Sequence, residues 1–262
     1  MELEPIGWGT RSLEEPDRTR LRCGRLLVEF SKVEDEICLA SRNLSEEEFE
    51  SLDETAPVEW TRWAVCTGTE EVRIAPGLPR LPVMVDPEDS FHVVPGAEAR
   101  IYVRIPLSVV VRLTDKFDQL LGEFPTETLS QTWFGETDNG ELCYWLSSRA
   151  SRRTLDELDE AGIQAPVTIH NDSAETLQVS RLCLRVGGLS IYRSGDSLWT
   201  NETTIRFQGG AVPSKVAVKS GPPKEAAAAH LISGPREAGP STAMARTFRS
   251  LRRWTVDLLD IE

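Results

Sequence analysis

The chain is 262 residues long, with 42 acidic against 29 basic side chains and a formal net charge of −13, a balance that argues against a polyanion such as nucleic acid as the main partner. Hydrophobic residues at 40% and charged residues at 27% are globular proportions, which excludes wholesale disorder or a fibrous repeat and lets a core form without metals or disulfides. The charge is uneven: residues 211–262 hold eight Lys/Arg against five Asp/Glu, so that tail is +3 and the preceding body −16.

The start, Met1-Glu2-Leu3-Glu4-Pro5, lacks the basic and apolar runs of a secretory signal, and no window approaches the ~18 consecutive apolar residues of a membrane span. Cys23, Cys38, Cys66, Cys143 and Cys183 are odd in number and widely spaced. Together these features lead us to expect free thiols in a reducing cytoplasm. The glycosylation patterns at Asn43, Asn171 and Asn201 are then chance matches.

In chain order, residues 26–30 and 33–39 are short apolar runs that predict two early strands. Ser45 and Glu48 form a capping box flanked by Leu44 and Phe49, predicting a short helix over 45–52. From Val58 the pattern is β, punctuated by Pro76-Gly77, Pro79, Pro82 and Pro87. Ile101, Val103 and Ile105 alternate with Arg100, Tyr102 and Arg104, and the period continues after Pro106, where an edge, bulge or bend is required. One or two helical turns are predicted over 115–121.

Asn139-Gly140 is the dipeptide of a type I′ turn and predicts a hairpin with Phe134 opposite Trp145, and Trp133, Tyr144 and Leu146 on the other face. Thr154 and Glu157 cap a second short helix ending at Gly162. Strands resume at 167–169, 177–186, 189–192 and 199–207, with a bulge near Ser180-Arg181 where the apolar parity changes. Beyond Val218, Pro, Gly and Ala predict a flexible linker over 219–240. Met244, Phe248, Leu251, Leu258 and Ile261, with Trp254 and interleaved arginines, then describe an amphipathic helix over 241–262.

Chemistry-bearing patterns are few. Gly195-Asp196-Ser197-Leu198 spells the signature of one serine-hydrolase family, but a nucleophilic serine needs a base, and the late Asp-x-x-His that supplies it there has no counterpart here. The four residues read as a turn between strands. Three histidines and the lack of any Cys-x-x-Cys pair give no basis for a dedicated metal site, and Cys143 reads as buried packing. Phosphate-binding loops are missing, and no cofactor is indicated. Two candidate surfaces are left. Trp133, Tyr144 and Trp145 suit a planar or sugar-like ligand, though aromatics equally supply core area. Phe248, Leu251, Trp254 and Leu258 suit a protein partner, self-association, docking on the body or an anionic membrane surface.

The order of features resembles the uncharacterised prokaryotic family known as domain of unknown function 432. The likeness runs through Leu78-Pro79-Arg80-Leu81-Pro82-Val83, residues 95–106, Gly140-Glu141-Leu142-Cys143-Tyr144-Trp145 and residues 167–173, and covers roughly 20–218, without the linker or the tail. It implies no reaction, cofactor or site residue. The expected architecture is mainly β, with one or two antiparallel sandwich-like domains over 1–114 and 125–218, short helices, and a tethered C-terminal helix. The expected function is a non-enzymatic cytoplasmic interaction or regulatory module; the alternative is a small-ligand or carbohydrate binder with an aromatic cleft, and a third, less favoured reading is a serine hydrolase using Ser197.

Overall fold

A computed structural model describes residues 4–13, 18–45, 59–66, 68, 71–135, 140–151, 161–210, 212–237, 242–245 and 247–248. Its strands, in chain order, are β1 (Glu4–Pro5), β2 (Gly9–Ser12), β3 (Arg18–Cys23), β4 (Leu26–Val33), β5 (Glu36–Asn43), β6 (Thr61–Ala64), β7 (Glu71–Gly77) and β8 (Val83–Pro87). There follow β9 (Phe91–Val93), β10 (Glu98–Pro106), β11 (Ser108–Leu113), β12 (Leu120–Pro125), β13 (Gln131–Phe134), β14 (Glu141–Ser151), β15 (Gly162–Asn171) and β16 (Leu177–Val179). The last are β17 (Leu182–Leu184), β18 (Ile191–Ser194), β19 (Ser197–Thr200), β20 (Thr203–Phe207), β21 (Ser214–Val218), β22 (His230–Ser233) and β23 (Thr242–Ala245). Among the described residues the helical content is one 3-10 turn, Lys224–Ala226. The protein is mainly β, as its period-two patterning requires.

The strands form a five-stranded sheet (β1-β3-β4-β5-β6), a four-stranded sheet (β12-β11-β7-β2), a twelve-stranded sheet built on β17-β8-β14-β10-β15-β19-β18-β22, and the pair β16-β9. Most pairings are antiparallel, but β1–β3, β8–β14, β15–β19 and β15–β20 are parallel. Inward positions meet in one continuous cluster that includes Leu21, Phe30, Ile74, Val109, Ile101, Ile163 and Leu182. The expected boundary at 114–125 therefore falls inside the β11–β12 hairpin, and one core serves both halves of the chain.

Several local expectations resolve physically. Pro106 ends β10, and after Leu107 the chain leaves the large sheet for the four-stranded one, so the proline marks a bend. The helical turns expected at 115–121 are a tight turn: Asp115 Oδ1 accepts from the Phe117 amide at 3.0 Å, Asp118 takes φ 48°, and β12 begins at Leu120. The parity change at Ser180-Arg181 is a switch between sheets, since β16 pairs with β9 and β17 with β8. Gly162 opens β15; the capping boxes' predicted helices, from Ser45 to about 52 and from Thr154 to Gly162, lie, apart from Ser45, Ala161 and Gly162, outside the described set.

The segment expected to be a flexible linker is stitched to the body. β22 pairs with β18, Ser233 donates to the Pro76 carbonyl at 2.7 Å, and the 3-10 turn covers Tyr102 and Trp199 with Ala226. Glu225 receives a two-pronged pair from Arg100, Nε and Nη2 each at 2.9 Å, and a 2.6 Å bond from the Tyr102 hydroxyl. Arg100 also bonds Thr168 at 2.8 Å and pairs with Glu202 at 3.0 Å, and Lys219 Nζ completes Glu202 at 2.7 Å. Arg236 ties the same segment to Glu123 at 2.6 Å, beside Arg80. Turn-forming composition misled here because Lys219, Glu225 and Arg236 each find a sheltered partner of opposite charge on the body.

Burial opposes charge on Arg100, Glu123, Glu202 and Glu225, and pairing overrides it. The Arg100 guanidinium is held above its ordinary range by Glu225, Tyr102 and Glu202. Glu123 is held below the usual carboxylate range by Arg236 and Arg80, Glu202 by Lys219 and Arg100, and Glu225 by Arg100 and Tyr102. Tyr102 is pushed up, first by burial and then by Glu225.

The tail also departs from expectation. Residues 242–245 are strand β23, paired antiparallel with β21, where the start of a helix was expected. Phe248 bridges to Leu182 and meets the Phe207 ring edge-on at 5.7 Å. Alternating small and apolar residues at 242–248 suit the open edge of β21 as well as they suit a helix face. Leu251, Trp254 and Leu258 lie outside the described residues. Among the described residues, no helix is long and apolar enough to cross a membrane.

Candidate functional site

The β13–β14 hairpin carries most of the candidate residues. Its register pairs Gln131 with Tyr144, Thr132 with Cys143, Trp133 with Leu142 and Phe134 with Glu141. The connection is therefore Gly135 to Gly140, longer than the two-residue Asn-Gly loop expected. The expected register is displaced by four residues, an even number, so every side chain keeps the face assigned to it.

On one face, Tyr144 and Leu146 lean on the main core, and beyond its edge Trp133 and Leu142 oppose each other at 49% and 43% exposed. Trp145 is on the opposite face, 43% exposed, where its indole donates to Asp86 Oδ2 at 3.1 Å. Trp133 and Trp145 are thus not brought together. Tyr144 alone of the three lines a groove of about 270 Å³, with Pro79, Arg80, Leu107, Glu123 and Leu129, at the junction of the large and four-stranded sheets. Phe248 sits apart from them, partly buried and packed edge-on against Phe207.

The same hairpin turns Cys143 inward on the face that holds Phe134. There Met84, Phe134, Cys143 and Cys183 form a small buried cluster separate from the main core. The two sulfurs are 3.7 Å apart, and Cys183 Sγ is 3.9 Å from Glu141 Oε1. Arg185 forms an ion pair with that same carboxylate oxygen. Hydrogen bonding between the thiols pulls Cys143 below and pushes Cys183 above the ordinary thiol range, burial adding to the rise at Cys183.

The family described as Protein of unknown function (DUF432) matches residues 7–252. The chain belongs to this family. The match extends past the resemblance seen in sequence, through the stitched 219–237 segment and into the tail as far as residue 252. No curated protein and no solved structure matches the chain.

In this DUF432 member the Gly-Asp-Ser-Leu signature is the β18–β19 hairpin: Ser194 pairs with Ser197 around Gly195-Asp196, with Gly195 at φ 59°. Sequence reasoning missed the grouping of Cys143, Cys183 and Glu141, whose donor atoms lie within 4.8 Å of one another. The cysteines are forty positions apart, on strands that each neighbour β8. Only the Glu-x-Cys step at 141–143 was visible, and it places both side chains on one strand face.

Proposed function

We propose that the chain is a non-catalytic cytoplasmic interaction module whose β13–β14 hairpin docks an extended, basic segment of a protein partner. The observation that carries this reading is the exposed apolar pair Trp133 and Leu142, facing each other beside a strand, β13, that pairs with β14 and no other described strand. An incoming strand would extend the ladder along β13 and lay alternate apolar side chains on that pair. Glu136 and Asp138 in the connecting sequence, with a chain charge of −13, favour a basic partner. Five free cysteines suit a reducing compartment.

The test places a photo-crosslinking side chain at position 133 in cells and identifies what it captures. A discrete protein partner, released when Leu142→Ser is added, supports the reading. Capture of soluble sugar, or of nothing beyond what an exposed position on β2 captures, overturns it. Cell fractionation of the same strain tests the compartment.

A further inference from the structure

We infer that Cys143, Cys183 and Glu141 form a binding site for a thiophilic divalent cation of the zinc class, independent of the docking surface proposed above. The sulfurs of two thiolates each ~2.3 Å from a tetrahedral zinc stand about 3.75 Å apart, and here they stand 3.7 Å apart before any ion is considered. A carboxylate oxygen and a sulfur on such an ion are roughly 3.5 Å apart, and Glu141 Oε1 is 3.9 Å from Cys183 Sγ. Three protein donors of this kind leave a fourth position for water.

Geometry favours a metal over a disulfide. Cys183 is on β17 and Cys143 on β14, with β8 between them. A disulfide bond is ~2.05 Å long, so it would require the two sulfurs to close in from the 3.7 Å at which they stand. The two side chains converge over Met84, which closes the apolar side with Phe134. A tetrahedral ion held by both sulfurs fits the 3.7 Å spacing as it stands.

Charge balances as well. Two thiolates and one carboxylate total −3; a divalent cation and Arg185, paired with Glu141, total +3. Binding releases both thiol protons to solvent, leaving the buried cluster neutral. Access runs past Glu141 and Arg185, whose side chains are about one-third exposed, while both cysteines are buried.

The test uses the full chain, reduced and metal-free, titrated with Co2+ and then Zn2+. The expected result is one Co2+ per chain, with a thiolate-to-cobalt charge-transfer band and the intense visible bands of a tetrahedral ion, bleached by Zn2+. Cys66→Ser, at the exposed thiol, leaves the band intact; Cys143→Ser and Cys183→Ser abolish it. Glu141→Gln, a partly exposed change that the fold tolerates, weakens affinity ~10-fold or more. No charge-transfer band in the wild-type chain overturns the inference whatever the variants do, as does a band that survives loss of either cysteine. Air oxidation to a Cys143–Cys183 disulfide with no metal uptake assigns the pair to redox chemistry and also overturns it.

Discussion

Arg100→Met isolates what holds the C-terminal segment in place. The guanidinium contacts Glu225 through two nitrogens, Glu202 and Thr168, and the two carboxylates are 14% and 8% exposed. Methionine keeps much of the stem's packing but removes the cation, leaving two sheltered carboxylates short of a partner. Breaking a buried pair from one side costs ~3–5 kcal/mol. Lys219 still serves Glu202 and the Tyr102 hydroxyl still serves Glu225, so the lower end, about 3 kcal/mol, is expected. For a domain of this size that is a fall in Tm of roughly 6–12 °C. Urea unfolding followed by tryptophan fluorescence suits the assay, because Trp199 packs with Tyr102 and Ala226 beside the network. In the double variant Arg100→Met/Glu225→Met most of the loss should return, since apolar replacement of a buried pair is near neutral. A loss below ~1 kcal/mol, the worth of a surface pair, or additive losses in the double variant, would refute the reasoning.

The other predictions follow from the same contacts. Truncation after Val218 removes Glu225 from Arg100 and Arg236 from Glu123, so it should lower Tm sharply and expose apolar surface to dye, where loss of a true linker would leave Tm unchanged. Glu123, Glu202 and Glu225 are depressed in the fold, so their stabilisation is present above the unfolded carboxylate value of ~4.3 and is lost as pH falls through the lower folded values. Chemical denaturation between pH 7 and 3 should show this fall, and Glu123→Gln should flatten it. Leu142→Ser, at an exposed position, should change unfolding free energy by less than ~0.5 kcal/mol while abolishing crosslinking from position 133. Zinc at 100 times its Kd should raise the unfolding free energy by ~2.7 kcal/mol in the wild type and not in Cys183→Ser.

Sheet content was readable because alternation of apolar and polar residues is a local signal: Ile101, Val103 and Ile105 are all buried, with Arg100 and Arg104 less so. What alternation does not carry is partnership. Pro106 announced a change of direction, but only the non-local pairing of β11 with β7 says that the chain enters a second sheet there. The Asn-Gly dipeptide located a hairpin, yet the pairing of Phe134 with Glu141 overrode the shortest turn. Residues 219–237 look like a linker because Gly, Pro and Ala carry no period. Their order comes from Arg100, more than a hundred positions away, meeting Glu225. The thiol cluster escaped for the same reason, since proximity across β8 leaves no trace in spacing.

Perturbed ionisable groups are a general pointer to functional sites, and here they divide into two kinds. In the Arg100 network every charge is spoken for: Glu202 has Lys219, Arg100 and Thr168, and Glu225 has Arg100 and Tyr102. Glu123 likewise has two arginines. Such saturated sets resist both protonation and a newcomer, which is the behaviour of an architectural clamp. At Cys143, Cys183 and Glu141 the balance differs, because full ionisation would place three negative charges against one cation, Arg185, among the described residues. That deficit of two positive charges is what a divalent cation supplies, and no neighbouring side chain in the buried Met84 and Phe134 lining can supply it.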